Sequence, residues 1–289
     1  MSALQEDRLL RFAALVKQEL DKSGETVALV ARSGMDLSRF GLRYSHAGVS
    51  LKASDNTPWS VRQLYYACDE ERPRLYDQGL SGFLFATDDP TVGYVSIVLP
   101  NGTEAAALER AALDKARALR LLAATYSANA YPFSLSYQNC NQWVAELLAT
   151  AWGALGDTPD LRRRAQRWLA GHGYAPTTIE VDSPWLVLAE PFVPLIHLDD
   201  QPQEDPGVLR VRTSLPAAIE TFVHERLPAA TRIEICHDGG TAVIRHGWEP
   251  IAQGCRPQAG DRVVDLDAET ESGGLARKHD RRNGAVGSR

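Results

Sequence analysis

The chain has 289 residues, of which 44% are hydrophobic and 24% are charged, and its formal net charge is −6. This composition is typical of a soluble globular protein, with room for one core plus an appendage or for two small domains. Because the charge is mildly acidic and no cluster of Lys and Arg alternates with aromatic residues, we expect no nucleic-acid partner. No apolar stretch approaches the roughly 20 residues of a membrane-spanning helix, so we expect no integral membrane segment.

The first 20 residues mix acidic and basic side chains, and they lack the apolar run and small-residue cleavage site of a signal peptide. They therefore predict a cytoplasmic protein, or a periplasmic one if a leader precedes this sequence. The composition leaves the oligomeric state open.

Hydrophobic periodicity predicts both helices and strands in the first half of the chain. The predicted helices are at 5–20, 79–86 and 101–124, and the predicted strands are at 26–31, 44–51, 59–66 and 93–99. The turn-forming residues 53–58 join two of these strands into an expected hairpin. Residues 68–78 are predicted to form a polar connection, and 126–137 an irregular aromatic loop.

The next part of the chain is predicted to hold a helix that begins at Cys140 and another at 159–171. The apolar segment 183–198 is interrupted by three prolines, so we expect it to pack in extended form over the core. Residues 199–207 are expected to be a linker. The first predicted domain is therefore 1–198.

Residues 208–266 predict a small C-terminal α+β extension. Its expected elements are a strand at 208–212, a helix at 216–227, a hairpin of 232–236 with 241–245, and a last strand at 262–266. Residues 267–289 have almost no apolar side chains, so they predict a disordered tail.

The segment 134–150, SLSYQNCNQWVAELLAT, is the most informative for chemistry. Asn139 is a natural N-cap, and apolar residues then recur at helical spacing. Cys140 is thus expected in the first turn of a buried helix, where unpaired backbone N–H groups and the helix dipole favour a thiolate. The best candidate for its base is His46, near the start of a strand. The alternative is a buried free cysteine and an unrelated histidine, since one Cys and one His far apart in sequence are common.

Residues near these two candidates are expected to line the same cleft. Gln138, Asn139 and Asn141 flank Cys140, where amides either cap the helix or hydrogen-bond a substrate. Tyr137 is a candidate for the cleft wall or an oxyanion site. Tyr44 lies two residues before His46 and so shares its strand face. For both tyrosines the alternative is packing in the core.

Two cysteines, Cys236 and Cys255, flank the hairpin predicted near the C-terminus. They either pair as a disulfide in an oxidising compartment or remain independent thiols. With His237 and His246 they also offer sulfur and nitrogen ligands for zinc. However, adjacent Cys236 and His237 would point to opposite faces of a strand, and no CxxC motif is present. We therefore predict no metal and no cofactor.

The order of the two candidate residues resembles a circularly permuted papain-like domain. A strand with S-H-A-G-V-S-L precedes the helix that opens with cysteine, and Ala47 and Gly48 match the small residue and glycine that follow the family's histidine. Such domains include NlpC-type cell-wall peptidases, the lecithin:retinol acyltransferase group and YiiX-like hydrolases. The segments RYSHAGVSLK, WSVRQLYYACDE, RLYDQGL and YQNCNQWVAELL more closely resemble an uncharacterised bacterial family, domain of unknown function 2145, over about 25–265.

The resemblance implies an α+β fold in which an antiparallel sheet packs on the cysteine-bearing helix. It also implies a third catalytic group on the strand after the histidine strand. Gln63 is the preferred candidate, because a neutral amide accepts the imidazole N–H, whereas the Arg62 cation would oppose an imidazolium. The alternative for Gln63 is a solvent-facing strand glutamine.

These observations predict a cysteine hydrolase or acyltransferase that acts on an amide or ester bond. Cys140 is the expected nucleophile, His46 the base and then the acid, and Gln63 the residue that orients the imidazole. By analogy with the papain-like relatives, the substrate is a cell-wall peptide or a lipid acyl group, or else another small molecule. The alternative is a catalytically inactive papain-like binding module that keeps the cleft without turnover.

Overall fold

The computed structural model describes residues 1–181, 195–207 and 209–268. Within them the chain is an α+β fold built on an antiparallel sheet of eight strands. The strands in chain order are β1 (Val27–Arg32), β2 (His46–Leu51), β3 (Ser60–Ala67), β4 (Arg72–Gln78), β5 (Val92–Leu99), β6 (Thr177–Glu180), β7 (Arg210–Thr213), β8 (Thr231–Asp238), β9 (Thr241–His246) and β10 (Arg262–Asp265). The large sheet has the order β10-β9-β8-β5-β1-β2-β3-β4, and β6 pairs with β7 in a separate small sheet.

Helices cover both faces of the large sheet. They are α1 (Ala3–Lys22), α2 (Leu80–Phe85), α3 (Gly102–Leu113), α4 (Lys115–Arg120), α5 (Cys140–Trp152), α6 (Leu161–Gly171), α7 (Glu204–Gly207) and α8 (Pro216–Arg226), with a 3₁₀ helix at Ser38–Phe40. Successive strand residues point to opposite faces, so Leu29 belongs to the core that holds α5 and Val30 to the core that holds α1 and α2. Each face therefore has its own apolar core.

Helix α5 is buried along almost its whole length. Every residue from Cys140 to Thr150 is buried, which fits a run with apolar side chains all round apart from its amides, Glu146 and Thr150. The helix packs on β2 and β3 on one side and against α3 and α6 on the other. Its N-terminus is thus fixed beside the start of β2, where His46 lies.

The prediction of a polar connection at 68–78 was wrong, because Arg72–Gln78 forms the edge strand β4. This strand pairs with β3 along its whole length, and Arg62 forms an ion pair with Asp77 across the two strands. Charged residues are common on an edge strand, since they discourage pairing with another chain. Because these residues are charged, the hydrophobic pattern of the sequence does not indicate a strand here.

The single helix predicted at 101–124 is divided in two by Asp114. Asp114 has an extended backbone, and its side chain accepts a hydrogen bond of 3.0 Å from the N–H of Arg117. An aspartate with this geometry is an N-cap, so the second helix, α4, begins afresh after it.

The strands after the predicted linker continue the large sheet. β8 pairs with β5 from Val92 to Leu99, and β9 and β10 extend the sheet outward from β8. Three strands of the predicted 208–266 extension therefore share one sheet with the N-terminal part. The strand predicted at 208–212 is β7, Arg210–Thr213, and it pairs instead with β6, which the sequence did not predict.

Two predictions fall on parts of the chain outside the described residues. Most of the apolar segment at 183–198 and nearly all of the tail at 267–289 lie there. Over the described ranges, every helix is either too short or too polar to cross a membrane.

Candidate active site

Cys140 is the first residue of α5, as the sequence predicted. The Asn139 side chain accepts a hydrogen bond of 2.7 Å from the N–H of Gln142 and so caps the helix. The backbone N–H groups of Cys140, Asn141 and Ala47 favour the thiolate and so act to lower the pKa of Cys140. These donors form because the helix N-terminus and the start of β2 meet at the thiol.

Burial nevertheless has a larger effect on the pKa of the Cys140 thiol than these N–H groups have. The Cys140 side chain is buried, and burial raises the pKa of its thiol from 9.0 to about 11, against the opposing effects of Arg32 and the backbone N–H groups. The expectation that the helix N-terminus would favour the thiolate therefore needs correction. In this environment desolvation is the larger effect, and the thiol stays protonated at neutral pH.

His46 is the first residue of β2, where it pairs with Arg32 at the end of β1. Its Nε2 lies 2.5 Å from Oε1 of Gln63, and Nε2 of Gln63 donates a hydrogen bond of 2.6 Å to Oε1 of Gln78. Because the Gln63 oxygen can only accept, His46 Nε2 must carry the proton. The lone pair, and with it the capacity to act as a base, then resides on Nδ1.

The His46 imidazole is neutral over a wide pH range. Burial lowers its pKa from 6.5 to about 3, the Arg32 guanidinium lowers it further in the same direction, and the hydrogen bond to Gln63 opposes both. The ring is 5.9 Å from that of Phe83 and 6.2 Å from that of Tyr65, centroid to centroid. These aromatic neighbours supply the apolar surroundings that disfavour the imidazolium.

Cys140 and His46 line one cavity with a volume of about 510 Å³. Arg32, Tyr65, Tyr126, Asn141 and Asp88 are among its other lining residues. Among the described residues, no hydrogen bond joins the Cys140 thiol to the imidazole. The observation that relates the two side chains is therefore the cavity that both of them line.

Glycine at position 48 has a structural reason. A Cβ there would meet the Val61 side chain and the Arg62 carbonyl oxygen at 2.4 and 3.0 Å. Gly48 thus allows β2 and β3 to lie close together, which holds His46 and Gln63 on neighbouring strands.

Of the five residues predicted to bind substrate, Asn141 lines the cavity. Its Nδ2 donates hydrogen bonds of 3.1 and 3.2 Å to the carbonyl oxygens of Ser45 and Ser214, and its buried Oδ1 has no partner. A buried acceptor without a donor is costly.

The structure places the other four residues in structural roles. Gln138 is buried and hydrogen-bonded to Leu121, Ala123 and Glu146, whereas Asn139 is the helix cap. The Tyr137 ring stacks on His197 at 4.4 Å, and the Tyr44 hydroxyl donates a hydrogen bond to Glu234 in the core. None of these four is among the residues that line the Cys140 cavity.

Sequence reasoning missed two residues beside the thiol, Arg32 and Tyr126. Arg32 acts on Cys140 through its charge, and Tyr126 lines the same cavity as Cys140. Burial raises the pKa of Tyr126 well above its ordinary value, with Cys140 contributing in the same direction. Pairing the strands predicted at 26–31 and 44–51 as antiparallel neighbours would have indicated Arg32, since it directly faces His46.

Cys236 and Cys255 form a disulfide with a Cα–Cα distance of 5.7 Å. Of the two alternatives, a disulfide or two independent thiols, the structure contains the disulfide. Both sulfurs are therefore unavailable to zinc. Within the described ranges, no three His, Cys, Asp or Glu side chains cluster in a way that could hold a metal ion. The free cysteines there are Cys68, which is exposed, and Cys140.

The fold and this cavity define an α+β protein with a buried cysteine, a histidine and an amide in one site. The chain belongs to the family described as uncharacterized protein conserved in bacteria, DUF2145, whose model matches residues 19–223. This match includes Arg32, His46, Gln63 and Cys140, and it ends before the 265 expected from the sequence. No curated protein and no solved structure matches the chain.

Proposed function

We propose that the protein is a cysteine hydrolase or acyltransferase that acts on an amide or ester bond. Cys140 is the nucleophile, His46 the general base and then the acid, and Gln63 the residue that orients the imidazole. The observation that carries the proposal is the arrangement around one cavity: thiol and imidazole both line it, and Gln63 holds Nε2 of the imidazole.

The chemistry begins from a neutral pair. As the Cys140 sulfur attacks the carbonyl carbon, its proton passes to Nδ1 of His46, and the carbonyl π electrons move to the oxygen. When the tetrahedral intermediate collapses, the imidazolium returns that proton to the leaving amine or alcohol, and a thioester remains. Water or a second acceptor, deprotonated by His46, then cleaves the thioester and regenerates the thiol.

Asn141 favours an amide substrate within this class. Its unpaired Oδ1 is an acceptor beside the thiol, and an amide N–H is a donor that an ester lacks. The resemblance to permuted papain-like domains extends this to a cell-wall peptide, with a lipid acyl group as the other substrate of that superfamily. That extension is an analogy at the level of fold.

The Cys236–Cys255 disulfide supports an oxidising compartment for the working protein. Disulfides persist in the bacterial periplasm and are rare in the cytosol, where thiols are kept reduced. A periplasmic location also matches the proposed cell-wall substrate.

A catalytically inactive binding module is the second candidate. Burial of the thiol favours it, because burial raises the pKa of Cys140 to about 11 and lowers that of the His46 imidazole to about 3. Proton transfer from thiol to imidazole is therefore strongly uphill in the empty cavity. Hydrolysis requires that substrate binding reverse this order, whereas a binding module requires no proton transfer.

Trapping of an acyl-enzyme decides between the two candidates. In a Cys68→Ser background, which removes the exposed thiol, the protein is incubated with activated esters and thioesters, and the adduct is located by peptide mass spectrometry. We expect one acyl group on Cys140, none in Cys140→Ala, and a rate about 10²- to 10⁴-fold lower in His46→Ala. Equal acylation of Cys140 with and without His46 would support the binding module.

A further inference from the structure

Arg32 is a buried cation without a carboxylate at contact distance. Its side chain is 6% exposed, and among the described residues it forms no ion pair within 4.0 Å. The other two buried arginines are paired: Arg62 with Asp77, and Arg232 with Glu220 and Glu234. An unpaired charge in a protein interior is costly, so its presence in a cavity wall calls for a function.

The guanidinium is held in place by neutral groups. Its Nη1 donates to the carbonyl oxygens of Ser33 and Ala86, and its carbon lies 5.3 Å from the centre of the Phe83 ring. A Cβ at position 34 would clash with Nη1, so Gly34 provides the space that the guanidinium occupies. The buried Nε has no hydrogen-bond partner.

The groups that face Arg32 leave its charge largely uncompensated. Cys140 is protonated at neutral pH, and Asp88 acts on Arg32 through charge without forming an ion pair. Burial is the largest influence on the Arg32 guanidinium and lowers its pKa. The cavity therefore contains a fixed positive charge close to the nucleophile.

We propose that Arg32 binds an anionic group of the substrate, such as a carboxylate next to the scissile bond, inside the Cys140 cavity. The proposal rests on the proposed function and specifies its substrate class: acyl compounds that carry a negative charge near the reacting carbonyl. The Arg32 guanidinium attracts the anion through its positive charge, and Asn141 lines the same cavity. Asp88 lines the same cavity, and its carboxylate limits the affinity for an anionic group because the two negative charges repel each other.

Two alkylating reagents test this assignment without any turnover. Iodoacetate carries a carboxylate, and iodoacetamide is its neutral analogue. The same thiolate attacks the methylene carbon of both and displaces iodide, so the ratio of their rates at Cys140 is independent of the cysteine pKa. The ratio is measured in Cys68→Ser protein at pH 9 and divided by the ratio for glutathione. An anion-binding cavity is expected to give a normalised ratio of about ten or more.

Three variants locate the effect. Arg32→Gln is expected to bring the normalised ratio to about one, whereas Arg32→Lys keeps the positive charge and retains a ratio well above one. Arg39→Gln removes an exposed positive charge from the neighbouring 3₁₀ helix and is expected to match the wild type. A wild-type ratio near one, or a high ratio that Arg32→Gln leaves unchanged, would overturn the proposal.

A second measurement needs no variant and covers the case in which Arg32→Gln fails to fold. Propionate is expected to protect wild-type Cys140 from iodoacetamide, and propionamide is expected to protect it far less. Equal protection by both would contradict anion binding. Neither experiment needs an acyl-enzyme, so the two proposals can fail separately. Anion selectivity without acylation of Cys140 would reject the hydrolase and support anion binding by Arg32. Acylation of Cys140 without anion selectivity would support the hydrolase and reject anion binding by Arg32.

Discussion

His46 owes its chemistry to the side chains around it. Phe83 and burial keep the imidazole neutral, and Gln63 fixes its tautomer through the 2.5 Å contact with Nε2. In turn, Gln63 is fixed by its hydrogen bond to Gln78 on β4. A base oriented by an amide in this way presents its lone pair in one direction only.

Loss of the Gln63 side chain is expected to slow acylation of Cys140. In the transition state Gln63 accepts a hydrogen bond from a developing imidazolium, and a hydrogen bond to an ion is worth about 1.5–3 kcal/mol, or roughly tenfold to hundredfold in rate. Gln63→Ala should show this loss in the acyl-trapping assay. Gln253→Ala, which changes an exposed glutamine, should react like the wild type. Equal rates in Gln63→Ala and Gln253→Ala would remove Gln63 from the mechanism.

Burial of His46 also predicts a dependence of stability on pH. In the folded protein the imidazole takes up a proton only near pH 3, whereas in the unfolded chain it does so below 6.5. The unfolded chain therefore binds more protons in this window, and the free energy of unfolding falls as the pH drops through it, by as much as about 5 kcal/mol. Buried His237, whose pKa is lowered to about 4 by burial, adds a smaller effect of the same sign.

Urea unfolding between pH 7 and pH 4.5 measures this effect. His46→Gln should weaken the pH dependence without abolishing it, because glutamine does not titrate whereas His237 still does, and exposed His224→Gln should leave it as in the wild type. A slope that His46→Gln leaves unchanged would show that the imidazole is solvated and titrates normally.

At the scale of elements, helix α5 is attached to its surroundings at its first turn. The Asn139 oxygen caps the helix, and its Nδ2 donates to the carbonyl oxygens of Ala128 and Ser214 and to the Thr213 hydroxyl. One side chain thus joins the helix N-terminus to the preceding loop and to the end of β7. The position of the thiol depends on this junction.

Asn139→Ala is therefore expected to cost more than a helix cap alone. Loss of the cap costs about 1 kcal/mol, and the buried acceptors left without a donor add about 1–3 kcal/mol. Ser2→Ala is the matched control, because Ser2 caps the exposed start of α1 and has no tertiary role. Chemical denaturation should give about 3 kcal/mol for Asn139→Ala and at most about 1 kcal/mol for Ser2→Ala. Equal losses would show that the Nδ2 contacts contribute nothing.

Helices and strands with a strong local hydrophobic pattern were predicted from the sequence. Strands that depend on pairing with a neighbouring strand were not. Helix α5 and its cap follow from Asn139 and the apolar residues after Cys140, and β2 follows from its buried run. Strand β4 is stabilised by pairing with β3 and displays charges at the sheet edge, so its residues look like a loop. Arg32 went unnoticed for a related reason: its position beside the thiol depends on strand register, which is a tertiary property.

At the scale of the whole molecule, the large sheet joins the two ends of the described chain. β8 pairs with β5 in the middle of the sheet, and the Cys236–Cys255 disulfide ties β8 to the segment after β9. The apolar core on the α5 side accordingly includes Cys236, Val243 and Cys255 together with residues of β1 and β2. We therefore expect one cooperative unfolding transition for both predicted domains.

Removal of the disulfide is expected to lower the stability of that single unit. Its cysteines are 19 residues apart, and a loop of this length predicts a loss of about 3 kcal/mol from unfolded-state entropy. The double variant Cys236→Ser, Cys255→Ser should therefore unfold at lower denaturant concentration, with tryptophan fluorescence and circular dichroism still changing together. Two separate transitions, or no change in midpoint, would contradict this account of the sheet.

The pH dependence of Cys140 acylation tests the central claim, that a neutral thiol and a neutral imidazole act as a pair, most directly. The second-order rate with an activated thioester reports the pKa values of the free protein, about 3 for His46 and about 11 for Cys140. In the wild type the rate is expected to be nearly flat from pH 5 to pH 9. In His46→Ala, where only the thiolate reacts, it is expected to rise about tenfold per pH unit. A tenfold rise per pH unit in both proteins would show that His46 does not act on the thiol.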